Sequence, residues 1–195
     1  ADLEEYYASR LETRPGEGFG FGSMGGYYTF SEVLANLDSM IALYPSLITG
    51  KDTIGYSILG KPIVAVKISD NPYQLENEPD VLYTGLHHAR EPVSMMNILY
   101  YMWYLLENYG SDPQATYLVN NRQMWFIPVV NPDGYVHNEQ TNPSGGGMWR
   151  LNARDNNDNG VYFQSGVDGV DLNRNYGYQW GFNNIGSSPT PVNST

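Results

Sequence analysis

The stretch Asp80-Val81-Leu82-Tyr83-Thr84-Gly85-Leu86-His87-His88-Ala89-Arg90-Glu91-Pro92 decides the architecture. Residues 80–84 read as a buried strand, being short, apolar and β-favouring. Pro92 stands where proline opens a helix, because its fixed φ suits the first turn and its missing N–H is not needed there. The turn between them carries two of the chain's three histidines, an arginine and a glutamate. A strand handing over directly to a helix is the unit of α/β sheets, and such sheets place ligands at their strand ends.

On the N-terminal side, Thr29 and Glu32 form a capping box. It opens a helix whose Val33, Leu34, Leu37, Met40, Ile41 and Tyr44 recur at helical spacing until Pro45. Thr53 to Leu59 and Ile63 to Ser69 are β-rich runs joined by Gly60-Lys61-Pro62, a hairpin signal. On the C-terminal side a helix is predicted from Pro92 to Tyr109, with Met95, Met96, Leu99, Met102, Trp103 and Leu106 in the core. Asp112 caps a further helix that opens at Pro113 and runs to about Asn121. An apolar strand, Met124 to Val130, leads into the turn Asn131-Pro132-Asp133-Gly134-Tyr135, with His137 a loop residue beyond it. The expected fold class is α/β, a three-layer sandwich with a mixed central sheet and helices on both faces.

The 195 residues are 41% apolar, enough for one sizeable core. A net charge of -11 repels phosphate backbones and no basic run offsets it, so nucleic acid is not an expected partner. No apolar stretch is long enough to span a membrane, and no basic-then-apolar signal remains at the N-terminus; a signal, if one existed, is expected to have been removed. The absence of cysteine excludes a disulfide framework and thiolate metal sites.

A hydrolytic zinc needs three protein ligands of His or carboxylate type and an open position for water. His88 and Glu91 have the type and spacing of two of them. On these residues alone, a plain reading stands beside it: strand-end histidines bonded to backbone, and a glutamate favoured by the helix dipole. Cations are scarce, 10 Lys+Arg against 21 Asp+Glu, yet Arg90, Arg150, Arg154 and Arg174 all lie in or beside the segments of interest. Such a concentration draws an anionic group to one place on an acidic surface.

Four segments stand in order: His88-Ala89-Arg90-Glu91, Asn131-Pro132-Asp133-Gly134-Tyr135, Trp149-Arg150, and Asp171-Leu172-Asn173-Arg174-Asn175. Together they resemble the zinc metallocarboxypeptidases of the carboxypeptidase A/B/T type, peptidase family M14. That pattern runs H-x-R-E, N-P-D-G-[YF], W-R and D-x-N-R-N. The resemblance implies a single zinc ion, held by the two-histidine, one-glutamate set for which carboxypeptidase A is the standard example. It makes His88 and Glu91 metal ligands and Arg150 the catalytic group that polarises the scissile carbonyl. Asn173 and Arg174 would bind the substrate's terminal carboxylate, and Arg90 a substrate carbonyl further from the cut. A guanidinium fork suits a carboxylate through two parallel charge-assisted bonds, which is how such an enzyme can demand a free chain end. The implied substrates are peptide or protein C-termini, and the implied location is extracellular.

The family's third zinc ligand, a histidine, and its general-base glutamate lie downstream of D-x-N-R-N, and here that places them beyond Thr195. The expectation is therefore an N-terminal portion, about two thirds, of a catalytic domain, inactive in isolation and lacking its last strands and helices. Its complementary C-terminal segment would be a partner; a natural short form is the other reading. Residues 1–24, with glycines alternating through Gly16 to Gly22, read as a linker or pro-segment remnant, with Ala1 to Leu11 a short helix; residues 25–195 read as the domain. Asp155-Asn156-Asn157-Asp158-Asn159-Gly160 reproduces the start of a calcium loop, but Gly166 stands where the closing glutamate belongs, so a turn is expected and calcium is a secondary cofactor candidate. Two other functions fit part of the pattern: a related zinc amidohydrolase acting on acyl amino acids or cell-wall peptides, and a catalytically inactive module that binds peptide C-termini.

Overall fold

In a computed structural model the chain is described over residues 19–183 and at Ser187. The expected helix at Ala1 to Leu11 and most of the C-terminal tail lie outside the described residues. In chain order the elements are α1 (Phe30–Leu43), β1 (Asp52–Tyr56), β2 (Pro62–Ile68), β3 (Asp80–Thr84), α2 (Pro92–Asn108), α3 (Pro113–Asn121), β4 (Gln123–Ile127), α4 (Pro132–Thr141) and a single 3-10 turn, Leu172–Arg174. This is a mixed α/β architecture on an open, mixed sheet of order β1-β2-β4-β3. β1 with β2 and β2 with β4 are antiparallel, and β4 with β3 is parallel. No described helix is long and apolar enough to cross a membrane.

The starts of α1 and α3 follow from the sequence. Thr29 accepts from the Glu32 amide while Glu32 accepts from the Thr29 amide, a completed capping box. Asp112 accepts from the amides of Gln114 and Ala115 at the start of α3. The Asn131-Pro132-Asp133-Gly134-Tyr135 segment, expected as a turn with His137 in a loop after it, is instead the first turn of α4. Asn131 caps it by accepting from the Gly134 amide, and Pro132 occupies the first helical position, so cap and proline together start a helix. His137 is thus helical and stacks on Phe163, centroids 4.1 Å apart. The β4 ladder is shorter than the apolar run suggests and ends at Ile127, because Pro128 has no N–H to continue it.

The register puts Val66, Ile68, Val81, Tyr83, Met124 and Phe126 on one face of the sheet. Helix α2 covers that face: Tyr101 packs edge-on against Tyr83 and close to Phe126, and Tyr83 stacks on Phe126 at 5.0 Å. On its far side α2 meets α1, where Trp103 donates from its indole to Asn36. The opposite face of the sheet carries Lys67, Trp125 and Leu82, with Leu82 61% exposed. Residues 19–24, within the expected linker, lie against the domain: Met24 is buried and Phe19 meets Tyr28 and Tyr100 edge-on.

Parallel pairing of β3 and β4 brings their carboxyl ends to the same edge. The pairing continues past the strands, with Gly85 donating to Ile127, Val130 to Gly85 and Asn131 to Leu86. Gly85 has to be glycine: a Cβ there would stand 2.7 Å from the Pro128 carbonyl and 3.0 Å from Ile98 of α2. The His87–His88 turn and the start of α4 are thereby locked side by side.

Helix α4 also supports α1. Glu139 accepts from the Phe30 amide at the α1 N-terminus. Burial, reinforced by the Glu32 charge, nonetheless outweighs that bond and the pull of Lys61, holding the Glu139 carboxyl above its ordinary range. A raised folded-state pKa means that its stabilising contribution is present at acid pH and lost as pH rises through the folded value. Glu139→Gln keeps an acceptor oxygen and removes this titration. Urea unfolding at a series of pH values should show the variant gaining on the native protein as pH rises from about 4.5 toward neutrality; parallel pH profiles would contradict this.

Candidate metal centre

His88 sits at the first bend after β3, buried at 7% exposure, and both of its ring nitrogens are engaged by carboxylates. Nδ1 lies 3.0 Å from Glu91 Oε1, and Nε2 lies 3.0 Å from Asp171 Oδ1. Glu91 is the N-cap residue of α2, yet its side chain makes no capping bond and turns to His88 instead.

Asp171 is buried at 8% exposure and serves three partners. Oδ1 faces His88 Nε2 and accepts from the Asn173 amide at 2.9 Å; Oδ2 accepts from Arg150 Nη2 at 2.8 Å and Nε at 3.1 Å. Burial alone would raise the Asp171 pKa, but the Arg150 hydrogen bonds and charge, the charge on His88 and the Asn173 amide outweigh it and hold the carboxyl below its usual range. An ionised Asp171 at Nε2 orients the ring and leaves Nδ1 facing Glu91; a carboxylate on the second ring nitrogen is the support that metal-ligating histidines use. Nδ1 and the carboxylate Oε1, on a glutamate side chain 53% exposed, form a nitrogen–oxygen pair open on one side, and their chemistry suits zinc.

Arg150 joins the group: besides its fork on Asp171 it comes within 3.8 Å of Glu91 Oε1. Its backbone is held by α4 through two buried asparagines. Asn131 donates from its side-chain amide toward the carbonyls of His87, Arg150 and Leu151, and Asn138 donates to those of Ala89 and Trp149 while accepting from the Trp149 amide. Gly134 permits the close approach, since a Cβ there would meet the Leu151 carbonyl at 2.5 Å and Ala89 at 2.8 Å. Leu86, just before the two histidines, takes the left-handed conformation (φ 51°) while fully buried.

The other sequence-predicted positions lie on the same bends. Asn173 and Arg174 sit on the 3-10 turn that Asp171 caps; the Asn173 side chain is exposed, and Arg174 donates to the Asn173 carbonyl. Arg90 is exposed beside Glu91. His88, Glu91 and Arg150 are therefore drawn into one group, Asn173 and Arg174 are attached to it through Asp171, and Arg90 is adjacent in sequence. Asp171, Asn131 and Asn138 are the contributors that the sequence reading left without a role. At the candidate calcium loop, Asp155 accepts from the amides of Asn157, Asn159 and Gly160, so the turn is closed by its own backbone.

Residues 33–195 match the family described as zinc carboxypeptidase. A zinc carboxypeptidase of Saccharothrix mutabilis subsp. capreolus is 36% identical over 156 residues, covering 80% of this chain and 33% of that protein. Carboxypeptidase A2 of Rattus norvegicus is 32% identical over 163 residues, 84% of this chain and 36% of that protein. The crystal structure of carboxypeptidase A from Helicoverpa armigera superposes with a TM-score of 0.67 at 29% identity, covering 92% of this chain and 41% of that one. The chain thus spans about a third of the length of the curated relatives it matches.

The buried ion pairs predict a large effect from one substitution. Asp171→Asn leaves Arg150 without its counter-charge and should cost about 3 kcal/mol of folding stability, the usual result of breaking one side of a buried pair. Urea denaturation reads it, and a loss under about 1 kcal/mol would show that Arg150 finds another partner.

Proposed function

The chain belongs to the zinc carboxypeptidase family, and from that premise we propose that it forms part of a zinc-dependent carboxypeptidase that hydrolyses the C-terminal peptide bond of peptides or proteins. One observation carries the reading: His88 is held by Asp171 on one ring nitrogen and presents the other to Glu91, with Arg150 on the same carboxylate.

In this reading His88 Nδ1 and Glu91 hold the metal, which when bound supplies a Lewis acid and a water acidic enough to attack near neutral pH. Asp171 keeps His88 oriented. Arg150, tied to Asp171 and close to Glu91, supplies positive charge beside the reacting carbonyl, where an oxyanion develops. Asn173 and Arg174 receive the terminal carboxylate, and Arg90 a carbonyl further along the substrate. A third ligand and a general base complete the site; neither has a motif match in these 195 residues, and we assign both to a further segment of a longer protein. On this account the 195 residues alone do not catalyse, and the whole enzyme is secreted.

The test uses the full-length protein. Purified, it should hold about one zinc per molecule and remove single residues from peptides with a free C-terminus. C-terminally amidated peptides and acyl amino acids should be poor substrates, and chelation should abolish the activity. Arg174→Ala should raise KM for free-carboxylate peptides by about 100-fold, the scale for losing one side of a desolvated charge pair. Preferential cleavage of acyl amino acids would overturn the reading in favour of an amidohydrolase, and a protein without zinc would overturn it in favour of a binding module.

A further inference from the structure

Tyr176 stands two residues past Arg174, outside the residues given roles above. Its hydroxyl lies 2.5 Å from Nε2 of His87, the neighbour of His88, and the two rings are 5.8 Å apart at 41°. This hydrogen bond joins segments 89 positions apart. One is the bend that presents His88 and Glu91; the other is the stretch that carries Asn173 and Arg174. Asp171 ties the two together ahead of Asn173, and the Tyr176 bond ties them again behind Arg174, so the short turn is pinned at both ends.

We propose that His87 and Tyr176 are positioning residues for the carboxylate clamp, fixing the Asn173–Arg174 turn against the metal-binding bend and so setting the distance between the chain end that is held and the bond that is cut. The proposal rests on the carboxypeptidase reading. Its physical basis is that a carboxylate clamp helps only if its separation from the reacting centre is held to a fraction of an ångström. A short 3-10 turn followed by irregular chain has little stiffness of its own, and a rigid phenol with a terminal hydroxyl supplies it. His87 is half-buried and Tyr176 is 60% exposed, so trimming the hydroxyl opens no cavity in the core.

The experiment measures binding, by calorimetry on the full-length zinc-loaded protein, of a non-cleavable peptide with a free C-terminus and of the same peptide amidated. Tyr176→Phe should weaken binding of the free-carboxylate peptide about tenfold, leave the weak binding of the amide unchanged and leave zinc content unchanged. His87→Ala should produce the same loss, and the double variant no more than either single, because both remove one bond. Unchanged affinity in Tyr176→Phe, equal losses for both peptides, or losses that multiply in the double variant would overturn the proposal. A native protein that binds free ends in preference to amides but does not hydrolyse them would sink the catalytic reading alone. One that does not distinguish the two peptides would sink both.

Discussion

The Asp171 carboxylate is the constraint on which the site depends. It arrives on a segment 83 positions from His88 and 21 from Arg150, and it is the point where they meet. A buried negative charge requires compensation, and here that need is met by two protonated or cationic side chains and a backbone amide. Satisfying one carboxylate therefore orients a histidine, docks an arginine and starts the turn bearing Asn173 and Arg174. Three chemical roles are coordinated by the electrostatics of one group.

Helix α4 performs the same service for the backbone. Asn131 and Asn138 reach carbonyls on the His87–Ala89 bend and on the Arg150 segment, groups that no strand or helix would otherwise satisfy. From the same helix the buried Asp133 accepts from the Ser57 hydroxyl and the Leu59 amide, which fastens the β1–β2 hairpin. A ten-residue helix and its cap thus hold a hairpin on one side and two site segments on another, which accounts for so many polar side chains in a helix that is buried along much of its length.

The sequence made the strand-to-helix hand-over at Thr84–Pro92, the capping box at Thr29 and the pairing of His88 with Glu91 legible, because each is a local pattern with a local physical cause. Helix α4 was misread because a proline and glycine in the first turn look like loop signals when the capping asparagine is not weighed with them. Asp171 was in view, within the segment that carries Asn173 and Arg174, and the missed signal was general: a ligating histidine needs an acceptor on its other nitrogen. Asn138 and Tyr176 had no such signal. Their partners are a set of carbonyls and a ring nitrogen that only the tertiary packing brings within reach.

Leu86 holds a left-handed backbone that costs an L-residue about 1 kcal/mol, and it does so buried, with its amide donating to Ser94 and its carbonyl accepting from Asn131. The bend that follows is consequently shaped by folding, before any ion arrives. Ser94 belongs to α2 and Asn131 caps α4, so the path of the backbone into His87 and His88 is set by two helices at once. The awkward leucine is, in that sense, a joint between two helices and a strand end.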